Sequence, residues 1–458
     1  DLKTEEKLAR ISSIGSIESL CASNAMRFIE PDKYSDWIGQ RDDSLSDFIS
    51  MGNKSDKSGL QLFSTYSMGI KTNRDDWVYQ YSKSGLTSTV NRMIEFYNSE
   101  VERLRHLDAN QIEAKINRDK SKIKWTTDIM SGVVKKKKHH IKTDDIRTSQ
   151  YRPFTKSWVY ANADWNWTRH LMPKIFPGQT SKNLVIGVSG TGARSGFSVL
   201  MTNLLPELHV VDTGQYFPLK IYERSSPSRS VSGELFPGAD EECSEFVMRD
   251  GITDEGLSHF MEAYPDEVLE KEDVFYYVYG LLHSPDYRSR YADNLSKELP
   301  RIPRVKTAFD FWAFSKAGRA LADLHLNYEN VEKYPLQIVG GGEQLKDSDF
   351  RVEKMKQPKK GKEKDLTSII YNQKITLTGI PLEAYEYVVS GKPALDWVIE
   401  RQCVKFDDDT GIVNDANDWA TETMSNPRYP FELFQRVITV SLETLKIVKS
   451  LPALTVQD

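Results

Sequence analysis

Membrane-length apolar runs are missing from this sequence: none approaches about 18 residues, so no spanning helix is expected. Cysteine is scarce as well. Cys21, Cys243 and Cys403 stand far apart with no CxxC pair, which excludes a disulfide-stapled miniprotein and paired-cysteine zinc sites and points to a reduced, cytoplasmic chain. The opening DLKTEEKLAR has neither the apolar core of a secretory signal nor an initiator Met, and reads as the start of an excised or processed piece. GxxxxGK[ST] and HExxH are both absent, so a phosphate loop and a zinc-protease helix are not expected here. Adjacent His139 and His140 point to different sides of any regular element and read as part of a solvated basic patch rather than as metal ligands. What is present is globular: 458 residues, 39% hydrophobic and 28% charged, enough for roughly two to four domains.

The net charge of -5 hides a strong polarity. Residues 103–180 hold 17 Lys and Arg against 7 Asp and Glu, whereas residues 239–273 hold 13 acidic residues against 2 basic ones. Such a chain turns one face to an anion and leaves the other solvated, so its net charge does not exclude nucleic acid.

Periodicity divides the chain into a β-rich half and a helical half, which makes the expected fold class α+β. The expected boundaries are a connector at 1–58, a β-rich lobe at 59–250 and a mainly helical lobe at 251–458. Glu5–Cys21 is mixed helical. Residues 60–66 and Trp77–Tyr81 read as strand, and a long helix is predicted over Thr87–Lys115 on the stripe Val90, Ile94, Tyr97, Val101, Leu104. Asp119–Arg147 reads as the least globular segment, Tyr151–Ile221 as several strands, and Ser225–Asp250 as a loop or linker. Helices are predicted over Asp273–His283, Pro285–Leu299, Phe309–Tyr328, Pro381–Arg401 and Pro430–Leu451. A short basic loop, Lys354–Lys364, leads into the strand-like Ile369–Leu377.

No segment carries a complete active site. Leu184–Gly192, continuing to Gly196 with Asp212 further on, has the glycines that let a backbone approach a pyrophosphate. Its spacing is GxGxxxG, however, and Pro206 shortens any following helix. Gly187–Thr191 misses the GxSxG nucleophile elbow at its last position. Asn426-Pro427-Arg428-Tyr429 differs by one residue from the Asn-Pro-Pro-Tyr motif of amino-methyltransferases and reads as a helix start. Asp407–Gly411 places its glycine one position early for an EF-hand and reads as an acidic turn. Enzymatic activity of this segment is therefore left open. The alternative to a binding function is a nucleotide- or S-adenosylmethionine-binding enzyme built on Gly187–Gly196.

The binding signals are richer. Lys135, Lys136, Lys137 and Lys138 can neutralise phosphates and release counterions, while a solubilising loop fits the same run equally well. Arg152, Lys156 and Arg169 stand beside aromatics on expected strands, where such side chains can supply base-edge and phosphate contacts, while core aromatics with surface charges fit the same residues and are the more frequent case. In Gly69–Tyr79 a polar run separates two apolar stretches. Its Lys71, Asn73 and Arg74 are the residue types that pair with adenine or guanine or grip phosphate, while a turn capped by Asn73 and Asp75 fits the same composition.

At these residues a family emerges. GIKTNRDDWVY, YRPFTKSWVY, MPKIFP and FSVLMTNLLPELHVVDTGQYFP, then DVFYYVYGLLHSPDYRSRYADNLSKELPRIP, DFWAFSKAGRALADLHLNYE, ITLTGIPLEAYEYVVSGKPALDWVIERQ and GIVNDANDW, together resemble the C-terminal target-recognition region of Type ISP restriction-modification enzymes. Asp36–Arg41 resembles the segment after the methyltransferase core. The resemblance implies a double-stranded DNA recognition domain for an asymmetric site, partnered by the methyltransferase of the same polypeptide. It implies that a nuclease, an ATP-driven translocase and an N6-adenine methyltransferase precede it. S-adenosylmethionine, ATP and Mg would then belong to those upstream parts, with no cofactor in this segment. It assigns no base-contacting residues.

Overall fold

Where apolar residues recur every three and four positions, the helices form. Val90, Ile94, Tyr97 and Val101 are buried along Lys83–Arg103, whose first turn is capped by the Ser82 hydroxyl accepting the Gly85 N–H at 2.9 Å. The helix ends short of the predicted Lys115. Asp108 starts a separate helix, Ala109–Lys115, through a reciprocal capping box with Gln111. The computed structural model describes residues 3–22, 29–55, 59–224, 246–340 and 345–457. Contacts divide the chain into two units, Asp1–Asp43 and Ser44–Asp458. The first carries the helices Thr4–Ile14 and Ile17–Ala22, separated by Gly15 at φ +74°.

Two four-stranded sheets organise the second unit. In one, Val185–Val188 lies between Gln215–Pro218 and Val199–Thr202, with Ser67–Met68 outside Gln215–Pro218, all antiparallel. In the other, Thr155–Tyr160 lies between Tyr79–Gln80 and Ile146–Arg152, and Leu205–Pro206 adds a parallel edge. The stretch 199–206 passes from one sheet to the other. Val185–Val188 and Val199–Thr202 are buried at every position, so they are covered on both faces. Lys271–Leu281 and Ala308–Leu326 pack backbone to backbone, because Gly280 and Gly318 leave no side chain between them.

Two hydrophobic cores result. One joins Tyr79, Val90, Tyr97, Val159 and Tyr160 to Tyr328, Leu377, Leu395, Phe434 and Val437. The other joins Leu45, Phe63, Ile186 and Phe217 to Phe260, Tyr277, Phe311 and Phe314. Each core draws on residues from both sides of position 250. Among the described residues, no helix is long and apolar enough to cross a membrane.

The α+β class holds, and several element boundaries move. Trp77 and Val78 belong to a helical turn, Asp75–Val78, leaving only Tyr79–Gln80 in strand. The basic stretch 119–147 is ordered, because Ile123, Ile129 and Val133 are buried and the last two lie on the helix Thr127–Val134. Pro285–Leu299 breaks at Tyr291 into Pro285–Arg290 and Ala292–Leu295. Pro381–Arg401 is α-helical only over Ala394–Arg401, with a short 3-10 turn at Leu382–Tyr385. Ser390 and Gly391, at φ +50° and +78°, turn Val388–Val389 back onto Lys392–Pro393, a conformation that a helix cannot contain. Ile369–Leu377 is a hairpin of Ser368–Ile370 and Thr376–Thr378. Residues 225–245 of the expected loop, with Cys243, lie outside the described residues. Phe246–Asp250 is a strand paired with Lys220–Arg224, tied by a Lys220–Asp250 ion pair of 2.5 Å.

Candidate nucleic-acid interface

The polar run after Gly69 folds into a tight turn fixed to two neighbours. Ile70 N–H donates to Pro206 O at 3.0 Å, and Lys71 exchanges backbone hydrogen bonds with Thr168 at 2.9 and 3.0 Å. Asn73 takes the left-handed conformation, φ +56°, which Asn tolerates better than most residues. Thr72 Oγ1 then accepts the Arg74 N–H at 3.1 Å, and its hydroxyl donates to Asp75. The Lys71–Thr168 pairing sets Lys71 beside the stretch from Trp167, 45% exposed, to His170.

Electrostatics extend this surface. Burial, then Lys54 and Lys71, hold His170 below its ordinary pKa. Burial, then Arg152, hold His209 low, with Lys71 contributing and Asp212 and Asp75 opposing. Lys54 lies 4.3 Å above the Tyr66 ring. Lys54 and His209 escaped the sequence reading because neither is near a basic run. The single signal for His209 is its position in the quoted FSVLMTNLLPELHVVDTGQYFP.

The other candidates divide sharply. Arg74 is interior, 1% exposed. Its Nη2 donates to Thr126 Oγ1 at 2.6 Å, while Nε and Nη1 have no protein partner and the guanidinium stands 5.9 Å from the Trp165 ring. Burial lowers its pKa to about 10, with Asp128 pulling the other way, so it stays charged near neutrality. Arg152 donates to Glu207 at 2.6 Å and lies over the Tyr151 ring at 4.1 Å. Burial pushes Glu207 up to about 7 against the pull of Arg152; burial also opposes the charge of Arg152, whose pKa is nevertheless raised because Glu207, Tyr151, Asp75 and Tyr79 together outweigh that desolvation. Lys156 pairs with Glu329 at 2.6 Å, joining the strand Thr155–Tyr160 to the helical half.

The tetra-lysine run closes the helix Thr127–Val134. Lys135, Lys136 and Lys137 donate backbone N–H groups to Ser131, Val133 and Gly132, with Lys136 at φ +59°. Cations are favoured at this negative end of the helix dipole. Lys137 pairs with Asp164 at 2.5 Å and Lys138 with Glu102 at 2.9 Å, which leaves Lys135 and Lys136 facing solvent. Arg169 is half-buried, with Nη1 donating to Ala161 O at 3.3 Å. The structure thus brings Lys71 and the stretch 167–170 together with Asn73 on the same turn as Lys71, keeps Lys135 and Lys136 exposed at the end of the helix Thr127–Val134, and turns Arg74, Arg152 and Lys156 inward.

The glycine-rich loop does not offer a nucleotide cradle. Val185–Val188 and Val199–Thr202 are antiparallel neighbours, so the loop joins two strands and no helix N-terminus follows it. The Arg194 and Ser195 N–H groups donate to Asp212 at 2.7 and 3.3 Å, and a carboxylate therefore occupies the place a phosphate would need. Asn426 accepts the Arg428 N–H at 3.0 Å at the entry of the helix Tyr429–Lys449, as a helix start requires.

The model of the family described as Type ISP C-terminal specificity domain matches residues 61–433. No curated protein matches the chain. Among solved structures, a nuclease-deletion mutant of the Type ISP restriction-modification enzyme LlaGI, in complex with a DNA substrate mimic, superposes with a TM-score of 0.78 at 35% identity, covering 94% of this chain and 36% of that one. The ATP-dependent Type ISP enzyme LlaBIII, bound to DNA, gives 0.82 at 33% identity, covering 100% and 27%. The DrdV–DNA complex gives 0.77 at 28% identity, covering 96% and 42%. The chain thus spans well under half the length of each of these proteins.

Proposed function

This chain belongs to the family of Type ISP C-terminal specificity domains, and from that premise we propose that it reads a double-stranded DNA site for a restriction-modification enzyme. Its task is to place an N6-adenine methyltransferase, with the associated ATP-dependent translocase and nuclease, on an asymmetric target in the cytoplasm. S-adenosylmethionine, ATP and Mg belong, in this reading, to those other parts. The observation that carries it is the match across residues 61–433, joined to 35% identity with a protein solved on a DNA mimic. The neighbourhood of Lys71, Asn73, Trp167 and His170 supports a contact surface of mixed character. Lysine supplies charge to phosphates, while Asn can pair with adenine and Trp offers a stacking face.

The test is a selection of random-centre duplexes on this chain at two salt concentrations. One asymmetric motif that survives the higher salt is the expected result. Binding without a motif, lost as salt rises, would leave phosphate attraction alone and end the specificity claim for the isolated chain.

A further inference from the structure

Unpaired positive charge collects on a segment that composition presents as a plain loop. Lys359–Lys360 and Glu363–Lys364 form an antiparallel ribbon, with Lys359 opposite Lys364 and Lys360 opposite Glu363. Gly361, at φ +68°, takes the first position of its two-residue turn, the place where a II′ turn needs glycine. Open space surrounds the position where a Cβ would stand, so the tip projects into solvent. The base is held firmly. Asp365 N–H donates to Pro358 O at 2.8 Å, and Lys356 exchanges backbone hydrogen bonds of 2.9 and 2.8 Å with Ile370. The ribbon therefore grows from the three-stranded sheet of Gln337–Val339, Thr376–Thr378 and Ser368–Ile370.

Charge sets this ribbon apart. Lys359, Lys360, Lys362 and Lys364 are all exposed. None of the four has an ion-pair partner among the described residues, whereas Lys137, Lys138, Arg152 and Lys156 each have one. Lys359 and Lys364 face each other directly across the ladder, and like charges so placed repel. An external polyanion removes that repulsion. At the Lys356–Ile370 base of the ribbon an open groove of about 500 Å³ is lined also by Lys354 and Gln373, and its acids Asp349 and Glu353 are already paired with Lys374 and Arg351. A two-stranded ribbon is narrow enough to lie in a duplex major groove, whose walls are rows of phosphates.

We propose that the Lys359–Lys364 ribbon is a DNA-gripping element, lying along a groove of the duplex and holding phosphates with Lys359, Lys360, Lys362 and Lys364. The inference rests on the DNA-recognition reading above and adds a location to it. Lysines act here as point charges, so the ribbon contributes affinity and register and leaves base choice to other residues.

The test compares this chain with its quadruple variant Lys359→Ala, Lys360→Ala, Lys362→Ala, Lys364→Ala. Binding is measured on the selected duplex and on a scrambled duplex of equal length across a salt series. The expected result is a slope of log affinity against log salt shallower by about two to four, with low-salt affinity reduced at least about thirtyfold on both duplexes. The four side chains are exposed, so the melting temperature should be unchanged. A quadruple Gln variant that retains side-chain length should show the same loss. An unaltered slope, with the parent chain binding well, overturns the ribbon's role and leaves the recognition reading standing. Loss confined to the selected duplex also overturns it, because that is the mark of base reading. A parent chain that binds neither duplex takes down both the recognition reading and this one.

Discussion

Arg74 and Lys71 stand three positions apart and have opposite fates, because Lys71 lies beside Thr168 at the surface while Arg74 turns under the chain toward Thr126. A buried guanidinium with two unpartnered nitrogens contributes little net stability and can often be replaced by an apolar side chain of similar length. Arg74→Met should therefore melt no lower than the parent and bind DNA with the same salt dependence. A large loss of affinity with an intact fold would mean that Arg74 leaves its site to reach DNA. Lys71→Ala should weaken all duplexes alike and reduce the salt slope by about one. His325 supplies a pH prediction. It is fully enclosed, with Nδ1 against the Tyr279 hydroxyl at 2.6 Å and Nε2 against Thr444 at 2.9 Å. Burial, assisted by nearby Arg288, lowers its pKa to about 3. Unfolding lets this ring take up a proton at its ordinary pKa near 6.5, so stability is full above that value and falls as pH drops toward 3. His283, also driven low by burial, acts in the same sense. The melting temperature should fall between pH 7 and pH 4, and the fall should be smaller in His325→Gln. An equal fall in that variant would exclude His325 as its source.

Among the elements, the contact of Lys271–Leu281 with Ala308–Leu326 depends most on a single residue type. A Cβ on Gly318 would collide with the Tyr276 carbonyl, and one on Gly280 with that of Phe314. Gly to Ala inside a helix ordinarily stabilises by about 1 kcal/mol. Gly318→Ala should reverse that sign and destabilise by about 1–3 kcal/mol, because the helices must move apart. Chemical denaturation of the variant measures it directly. The turn after Ile146–Arg152 has a comparable dependence. Phe154, at φ +53°, is buried against Tyr328 with ring centroids 5.3 Å apart, so the hairpin tip is anchored in the helical half.

For the molecule from Ser44 onward, both cores mix residues from either side of position 250, and ion pairs such as Lys156–Glu329 cross the same line. Neither half can bury its apolar faces alone. Residues 44–250 and 251–458, expressed separately, should lack a cooperative melting transition and regain one when mixed or co-expressed. A sharp transition in either isolated half would contradict a shared core.

Local pattern was enough for much of this protein. The apolar stripes of Lys83–Arg103, Ala308–Leu326 and Tyr429–Lys449 could be read directly, since a 3.6-residue period needs no distant partner. The α+β class was legible from the same kind of local periodicity, and the family from the resemblance of long contiguous runs of sequence. Tertiary structure alone decided which basic residues face outward. Arg74, Arg152, Lys137 and Lys138 share the composition of Lys71 and Lys359, yet their charges are met by burial or by carboxylates far away in the sequence. A charge's availability depends on what lies across the fold from it, and that partner is chosen by strand order, turn conformation and core packing together. Pairing likewise turned the basic loop at 354–364 into a ribbon, because its hydrogen bonds run to Ile370 and across its own turn.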